Sequence, residues 1–396
     1  MTTPHPEALS SAVEAACGSA GRGVPATVMG RRAFVKMMGA GMLLTLAPSL
    51  TGCQSFGEAI TGERQITDHV GRKLDIPTTG ALERIYFTSA LAQVFCFTMN
   101  PELLAGTATQ FSPEQLGFLP EGTNQLPYMG SLSGDGEINR EMLMVENVQL
   151  VFSISAIGIT QANISEAQDL QDSTNIPVCL LDGSMDKIAE CYRMLGSIMG
   201  REDRAAELAS YCEDVYERVT SAVGDIPDDK KVKLYYAEGP EGLQTEPDAS
   251  QHALAFALAG ADNVAAVPEN EGLGMSNVSL EQVLAWSPDV IIAWDYDNMG
   301  GADEDIRANK NWSEIPAWKN DRVYTMPCVP YAWLDRPPAV NRFLGVQWVA
   351  NMLYPDRYDV DMVQVAREFY RLFYWVEPSE DEIKELLGNS YPPYRG

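Results

Sequence analysis

Short apolar runs alternate with helix-like stretches along most of the chain, and one long helical stretch interrupts this alternation. Between Asp186 and Asp225 apolar residues recur at three- and four-residue steps, and Gly200 divides this stretch into two helices, the second predicted from roughly Glu202 to Val223. The strand-helix-strand units on either side are typical of a parallel sheet covered on both faces. The sequence therefore predicts an α/β protein with two doubly wound lobes joined by one long linker helix.

The pattern also predicts where the segments of the chain begin and end. The five segments are an export signal at 1–53, a tether at 54–65, an N-terminal lobe at 66–185, a helical linker at 186–226 and a C-terminal lobe at 227–396. Strands are predicted at 66–76 (a hairpin), 84–87, 103–107, 148–154, 178–181, 232–237 and 290–294.

Residues 141–152 and 281–292 follow the same pattern in the two predicted lobes. In each, a glutamate (Glu141 or Glu281) opens a short apolar helix that leads into a buried strand after the same number of residues. This internal similarity indicates that one lobe resembles the other.

The N-terminal segment is typical of an export signal that ends in a lipid-modified cysteine. Arg31 and Arg32 precede a short apolar run from Met37 to Leu50, and a small-residue box ends at Cys53. The run is shorter than the roughly 20 apolar residues needed to span a bilayer. The arginine pair resembles twin-arginine signals, so we expect export and lipidation of Cys53.

The chain is strongly acidic. Its 28 basic and 55 acidic residues give a net charge of −27. A surface of that sign repels nucleic acid and anionic lipid headgroups, so neither is expected as a partner. We expect membrane attachment through the acylated Cys53 alone.

Short motifs occur in a fixed order along nearly the whole predicted mature chain. They are Ile66-Thr67-Asp68, Arg84-Ile85, Asn139-Arg140-Glu141, Ile176-Pro177-Val178, Ser279-Leu280-Glu281, Pro288-Asp289-Val290, Asn311-Trp312, Val323-Tyr324 and Trp333-Leu334-Asp335-Arg336-Pro337-Pro338. In this order they resemble the extracytoplasmic solute-binding proteins of ABC importers for iron-siderophore complexes, haem and cobalamin.

The resemblance implies a ligand cleft between two lobes and a linker helix that restricts hinge opening. It also implies a monomer that works with a permease dimer and a cytoplasmic ATPase. By position, Glu141 and Glu281 correspond to the glutamates that pair with permease arginines in relatives. The alternative role for both is stabilisation of a helix N-terminus by the macrodipole.

Ligand contacts in a doubly wound lobe come from the loops at the carboxyl ends of the strands. This rule selects Thr88, Ser89, Ser153, Tyr236, Glu238, Asp295, Tyr296, Trp333 and Arg336. We expect the Trp333 ring to stack on a ligand and the Arg336 guanidinium to hold an anionic group. The alternative for Arg336 is a pair with Asp335 that braces the Pro337-Pro338 turn.

The predicted ligand is a metal chelate, with a ferric siderophore complex as the first expectation. Only His69 and His252 lie in the predicted mature chain, so direct zinc binding is disfavoured and no cofactor is expected. Cobalamin, haem or an oxyanion such as molybdate are the alternatives.

Two functions of other classes are the alternatives: an exported carboxylate-dependent hydrolase and a structural lipoprotein without a ligand. The sequence has no G-x-S-x-G elbow, no H-E-x-x-H motif and no glycine-rich phosphate loop. With so few histidines for general-base chemistry, the sequence predicts a binding protein and not an enzyme.

Overall fold

The computed structural model describes residues 62–133, 136–248, 250–268, 274–294 and 301–393. Arg31, Arg32 and Cys53 of the predicted export signal lie outside these residues, as do Asp295 and Tyr296. Within the described ranges, no helix combines the length and the apolar character that crossing a membrane requires.

The N-terminal lobe contains a hairpin and a parallel sheet. Its elements are β1 (Glu63–Thr67), β2 (Lys73–Pro77), β3 (Ile85–Phe87), α1 (Ala90–Met99), α2 (Pro113–Gly117), α3 (Arg140–Val145), β4 (Leu150–Ser155), α4 (Gln161–Thr174) and β5 (Val178–Asp182). The sheet has the order β3-β4-β5, with Ile85 opposite Leu150.

The strand predicted at 103–107 was wrong. Pro101 opens a 3-10 turn that ends at Leu103, and Leu104 and Thr107 form only isolated parallel bridges to Ile85 and Tyr128. The apolar run here is buried as predicted, but it adds no regular strand.

Two helices follow this lobe, α5 (Ile188–Met199) and α6 (Glu202–Val223). Gly200 separates them with a φ of +65°, a conformation that favours glycine, and a Cβ there would lie 3.1 Å from the Cβ of Thr79. Helix α6 has 22 residues and is therefore about 33 Å long at ~1.5 Å per residue. It has the bounds that the sequence predicted.

The C-terminal lobe is built around a second parallel sheet of order β11-β10-β6-β8. Its elements are β6 (Lys233–Ala237), β7 (Gln244–Thr245), α7 (Leu254–Leu258), β8 (Asp262–Asn263), β9 (Ser276–Asn277), α8 (Leu280–Trp286), β10 (Val290–Ala293), α9 (Ala302–Ala308), α10 (Pro316–Lys319), β11 (Val323–Thr325), α11 (Asn341–Leu353), α12 (Met362–Phe369) and α13 (Glu380–Leu387). The short strands β7 and β9 pair separately as an antiparallel ribbon.

Both sheets place one face on a shared core and the other face on a core of their own. In β4, Phe152 belongs to the shared core and Val151 to the outer core of the N-terminal lobe. In β10, Ile292 belongs to the shared core and Ile291 to the outer core of the C-terminal lobe. Because side chains alternate along a strand, both faces are apolar and the strands read as continuous apolar runs.

The internal similarity in the sequence corresponds to a structural one. Helices α3 and α8 are capped by Asn139 and Ser279, and each strand begins ten residues after its helix begins. Both strands, β4 and β10, lie between two parallel neighbours. Glu141 and Glu281 lie in the first turns of these helices and are exposed.

The chain after α12 packs across both lobes. Helix α12 continues into a π-helix at Tyr370–Tyr374, where the Tyr374 hydroxyl donates to Asn341 Oδ1 of α11 at 2.5 Å. On the other side, the Phe373 ring lies 6.3 Å from the ring of Tyr192 in α5. This segment is therefore a second connection between the lobes, beside α6.

Arg204 of α6 fixes the end of the π-helix to the N-terminal lobe. Its guanidinium donates to the carbonyl oxygens of Thr98 (2.9 Å) and Leu372, and lies 4.1 Å above the Trp375 ring. The Trp375 indole in turn donates to the carbonyl of Phe97 at 2.8 Å. One side chain thus joins the linker, helix α1 and the C-terminal segment.

Arg204→Ala is expected to lower the free energy of unfolding by about 2 to 3 kcal/mol, because two carbonyl contacts and a cation–π contact are lost. The matched control is Arg193→Ala, which removes only an exposed pair with Glu213 (2.7 Å) and should cost about 1 kcal/mol or less. Chemical denaturation measures both. Equal losses for the two variants would contradict the bracing role.

Candidate ligand-binding site

Polar side chains gather at the carboxyl edge of the C-terminal sheet. Glu238 follows β6, Trp294 follows β10, and the loop that contains Arg336 follows β11. Since ligands of open α/β sheets bind outside the carboxyl ends of the strands, this edge is the candidate site of the lobe.

The guanidinium of Arg336 lies at the centre of this edge. Its Nη2 donates to Glu238 Oε1 and Glu246 Oε1, both at 2.9 Å, and its Nε lies 3.4 Å from Asp335 Oδ2. The guanidinium carbon lies 4.8 Å from the centroid of the Trp294 ring. We call Arg336 with these three carboxyl groups the Arg336 cluster.

Two further polar residues support the cluster through Asp335. His252 Nδ1 and Asp335 Oδ1 form a hydrogen bond, and Arg342 Nη2 lies 4.0 Å from the same oxygen. Arg342 also donates to the carbonyl of Gln251 at 2.8 Å. The site therefore contains three carboxyl groups, two guanidinium groups and one imidazole.

Burial and neighbouring charges shift the pKa values of the cluster residues in opposite directions. Burial raises the pKa of Glu238 to about 8, although Arg336 beside it favours the ionised form. Burial also disfavours the charge on Asp335, but His252 and Arg336 outweigh it and hold the pKa of this carboxyl below its usual range. Burial lowers the pKa of Arg342 to about 10, so this residue stays charged at neutral pH.

Glu246 is held rigidly by its neighbours. Its Oε1 accepts from the backbone N–H of Met275 (2.9 Å), and its Oε2 accepts from the Ser250 hydroxyl (2.8 Å). Gly274 approaches so closely that a Cβ there would lie 2.1 Å from Glu246 Oε1, and its φ is +62°. Only glycine fits at this position without displacing the carboxylate.

Three buried oxygen atoms beside Arg336 have no hydrogen-bond partner among the described residues. They are the Tyr236 hydroxyl, Glu238 Oε2 and Asp335 Oδ2. The Tyr236 ring packs on Phe256 at 5.0 Å, so the residue itself is fixed. Buried polar atoms normally have partners, so such atoms mark a place where water or ligand atoms bind.

The sequence-predicted residues of the N-terminal lobe lie at the matching edge of the first sheet. Thr88 and Ser89 follow β3, and the Ser89 hydroxyl caps α1 by accepting from the Ala92 N–H at 3.1 Å. Ser153 is half-buried within β4. In the same lobe, the buried Thr109 hydroxyl has no hydrogen-bond partner among the described residues.

The loop that carries Arg336 also touches the N-terminal lobe. Gln115 Nε2 donates to the carbonyl of Pro330 at 2.9 Å, and the rings of Phe111 and Tyr331 meet edge to face at 6.0 Å. The carboxyl edges of the two sheets are therefore linked through this loop.

The role predicted for Trp333 is not supported by its surroundings. Its side chain is fully buried, its indole donates to the Tyr370 hydroxyl at 2.9 Å, and its ring meets Trp348 edge to face. These are the contacts of a core residue. The predicted role of Trp333 in stacking on a ligand is therefore corrected to packing within the core. Trp294 is the tryptophan that lies against Arg336 instead.

The structure brings together three of the predicted ligand residues, Tyr236, Glu238 and Arg336, and adds residues that the sequence analysis did not assign. Glu246 follows a two-residue strand and Arg342 lies in a fully buried helix, so neither follows a strand of the main sheet. Arg342 is the one charged residue of this buried helix, which was the available signal in the sequence. Within the described ranges, no group of three metal-ligating side chains is arranged to hold a metal ion.

Comparison with known proteins gives consistent similarities. The profile of the periplasmic binding protein family matches residues 150–330. The molybdate-binding protein MolA of Haemophilus influenzae is 27% identical over 333 residues, which cover 79% of this chain and 91% of that protein.

Solved structures are similar to this chain over about the same share of its length. An ABC transporter solute-binding protein from Sulfurospirillum deleyianum has a TM-score of 0.74 and 28% identity, and the match covers 82% of this chain and 98% of that one. The structure of MolA bound to molybdate has a TM-score of 0.62 and 23% identity, with 80% and 99% covered, and shares the fold.

Glu238→Gln is expected to change how stability depends on pH. The pKa of Glu238 is raised by burial from 4.5 to about 8 in the folded chain, so the unfolded chain releases this proton first. The folded state therefore loses stability as pH rises from about 4.5 through about 8, by an amount on the order of 4 to 5 kcal/mol. Chemical denaturation should show that the free energy of unfolding falls less between pH 5 and pH 9 in the variant than in the wild type. Identical losses would contradict the raised pKa of Glu238.

Proposed function

We infer that the chain is a periplasmic binding protein of the kind that serves ABC importers, and we propose that it captures a small oxyanion of the molybdate type and delivers it to a permease. Proteins of this family bind solutes for transport and are not enzymes. The proposal concerns the solute, the site and the attachment to the membrane.

The proposal rests on the hydrogen bonding and exposure of the Arg336 side chain. Its Nη2 and Nε face carboxyl groups, whereas its Nη1 makes no hydrogen bond with the described residues, and 17% of its side chain is exposed. A guanidinium that is fixed on one side and open on the other suits a planar contact with an oxyanion. The carboxyl groups would then position the arginine.

Neutral donors from the other lobe support the same ligand class. Thr88, Ser89 and Ser153 lie at the carboxyl edge of the first sheet, and contacts of Gln115 and Phe111 hold the Arg336 loop against that lobe. Hydroxyl groups add hydrogen bonds to an oxyanion without adding charge. The full-length similarity to a protein named for molybdate binding favours this ligand as the first to test.

The ferric siderophore complex, cobalamin and haem stay predictions. Their support in the sequence was the family resemblance, and the ring expected to stack on a flat ligand, Trp333, lies in the core. They are therefore tested beside the oxyanions.

Attachment and docking complete the proposal. Lipidation at Cys53 after a twin-arginine signal would hold the receptor, as a monomer, at the outer face of the cell membrane. The exposed Glu141 and Glu281, one on each lobe, would contact the permease and set its orientation, because rim charges govern encounter and register.

The ligand is tested by titration calorimetry with molybdate, tungstate, sulfate, a ferric siderophore, haem and cobalamin. We expect saturable binding of molybdate, and Arg336→Lys should weaken it about tenfold or more, because lysine keeps the charge but cannot pair with the carboxyl groups and present the N–H donors of Nη1 at once. Arg357→Lys, at an exposed pair with Asp225, is the matched control and should bind normally. Saturation by a chelate in place of the oxyanions would overturn the proposed ligand.

The docking role is tested by uptake in cells that express the permease. Replacing Glu141 and Glu281 together with alanine should abolish uptake and leave ligand affinity intact, because both are exposed on helices and neither belongs to the Arg336 cluster. The control replaces Glu166 and Glu385, which are exposed on α4 and α13. Normal uptake by the first double variant would show that docking uses another surface.

A further inference from the structure

The two oxygens of the Glu238 carboxyl have different surroundings. Oε1 accepts from Arg336 Nη2 at 2.9 Å, whereas Oε2 is buried without a hydrogen-bond partner among the described residues. Arg336 needs only one acceptor from this carboxyl, and a neutral carboxyl can supply it. Ionisation would place a second, uncompensated negative oxygen in the interior, which is costly.

The charges that face Glu238 come from each described segment packed against it. They are Arg336 and Asp335 from the loop after β11 and Glu246 from the end of β7, with the hydroxyl of Tyr236 on β6 beside them. His252 and Arg342 reach the cluster through Asp335. With Glu238 neutral, two carboxylates balance two guanidinium groups; with Glu238 ionised, the carboxylates exceed them by one.

We propose that Glu238 positions Arg336 through Oε1 and, by its protonation, sets the upper pH limit for oxyanion capture. In the neutral form it orients the guanidinium without opposing an anion. In the ionised form it repels the anion at the open side of Arg336. This inference rests on the proposed function, because it concerns capture of an oxyanion.

Burial gives this group a pKa of about 8, which places the change within a range that binding experiments reach. A bound anion raises that pKa further, so binding in this range must take up a proton. If the coupling is about tenfold, affinity falls roughly fivefold between pH 6.5 and pH 9, and about half a proton is taken up at pH 8.5.

The experiment is titration calorimetry of the full chain with molybdate, whose charge does not change between pH 6.5 and pH 9. Two buffers with different heats of ionisation report the proton uptake directly. The wild type should lose affinity about fivefold and take up about half a proton at pH 8.5. Glu238→Gln, which keeps an acceptor for Arg336, should have the same affinity at both pH values and take up no proton.

Glu241→Gln is the matched control, because Glu241 is exposed in the turn between β6 and β7. It should keep the wild-type pH profile and proton uptake. If the Glu238→Gln substitution prevents folding, as circular dichroism would show, an absence of proton uptake by the wild type at pH 8.5 would still overturn the role of Glu238.

The outcomes separate the two claims. Molybdate binding that is independent of pH, or an alkaline loss that persists in Glu238→Gln, would overturn the role of Glu238 and leave the proposed function standing. Absence of oxyanion binding at every pH would overturn the proposed function, and the inference with it.

Discussion

The ion pairs of Arg336 join its loop to two glutamates that lie 98 and 90 residues earlier in the chain. Glu238 follows a strand of the main sheet, Glu246 follows a strand of the small ribbon, and Asp335 precedes Arg336 in the loop after the last strand. A buried guanidinium is stable only when such partners compensate its lost hydration. The contacts that compensate the lost hydration of Arg336 therefore also fix the loops at the edge of the sheet.

This arrangement explains why one arginine can serve structure and binding together. Its Nη2 and Nε are directed at carboxyl groups, so its orientation is set before any ligand arrives. A preorganised donor loses little conformational freedom on binding. The shared core and the bracing segment around Arg204 extend this order to the lobes, which are connected by α6 and by the π-helix.

The sequence was informative wherever local pattern decides the structure. Apolar spacing and Gly200 fixed the bounds of α6, and the strand-end rule led to Glu238 and Arg336 before any geometry was known. The sequence did not predict the positions that long-range packing determines. Trp333 lies beside polar residues in the sequence, yet its ring turns into the core toward Tyr370, and a loop position alone cannot reveal that. Glu246 and Arg342 join the site only through tertiary contacts, which have no signature in spacing.

A crystal structure of the protein grown with molybdate would test the central claim most directly, because the anomalous signal of molybdenum locates the ion without ambiguity. We expect a single strong peak between the lobes, with an oxygen of the anion within about 3.2 Å of Arg336 Nη1. A peak remote from Arg336, or a well-ordered crystal without a peak at saturating molybdate, would contradict it.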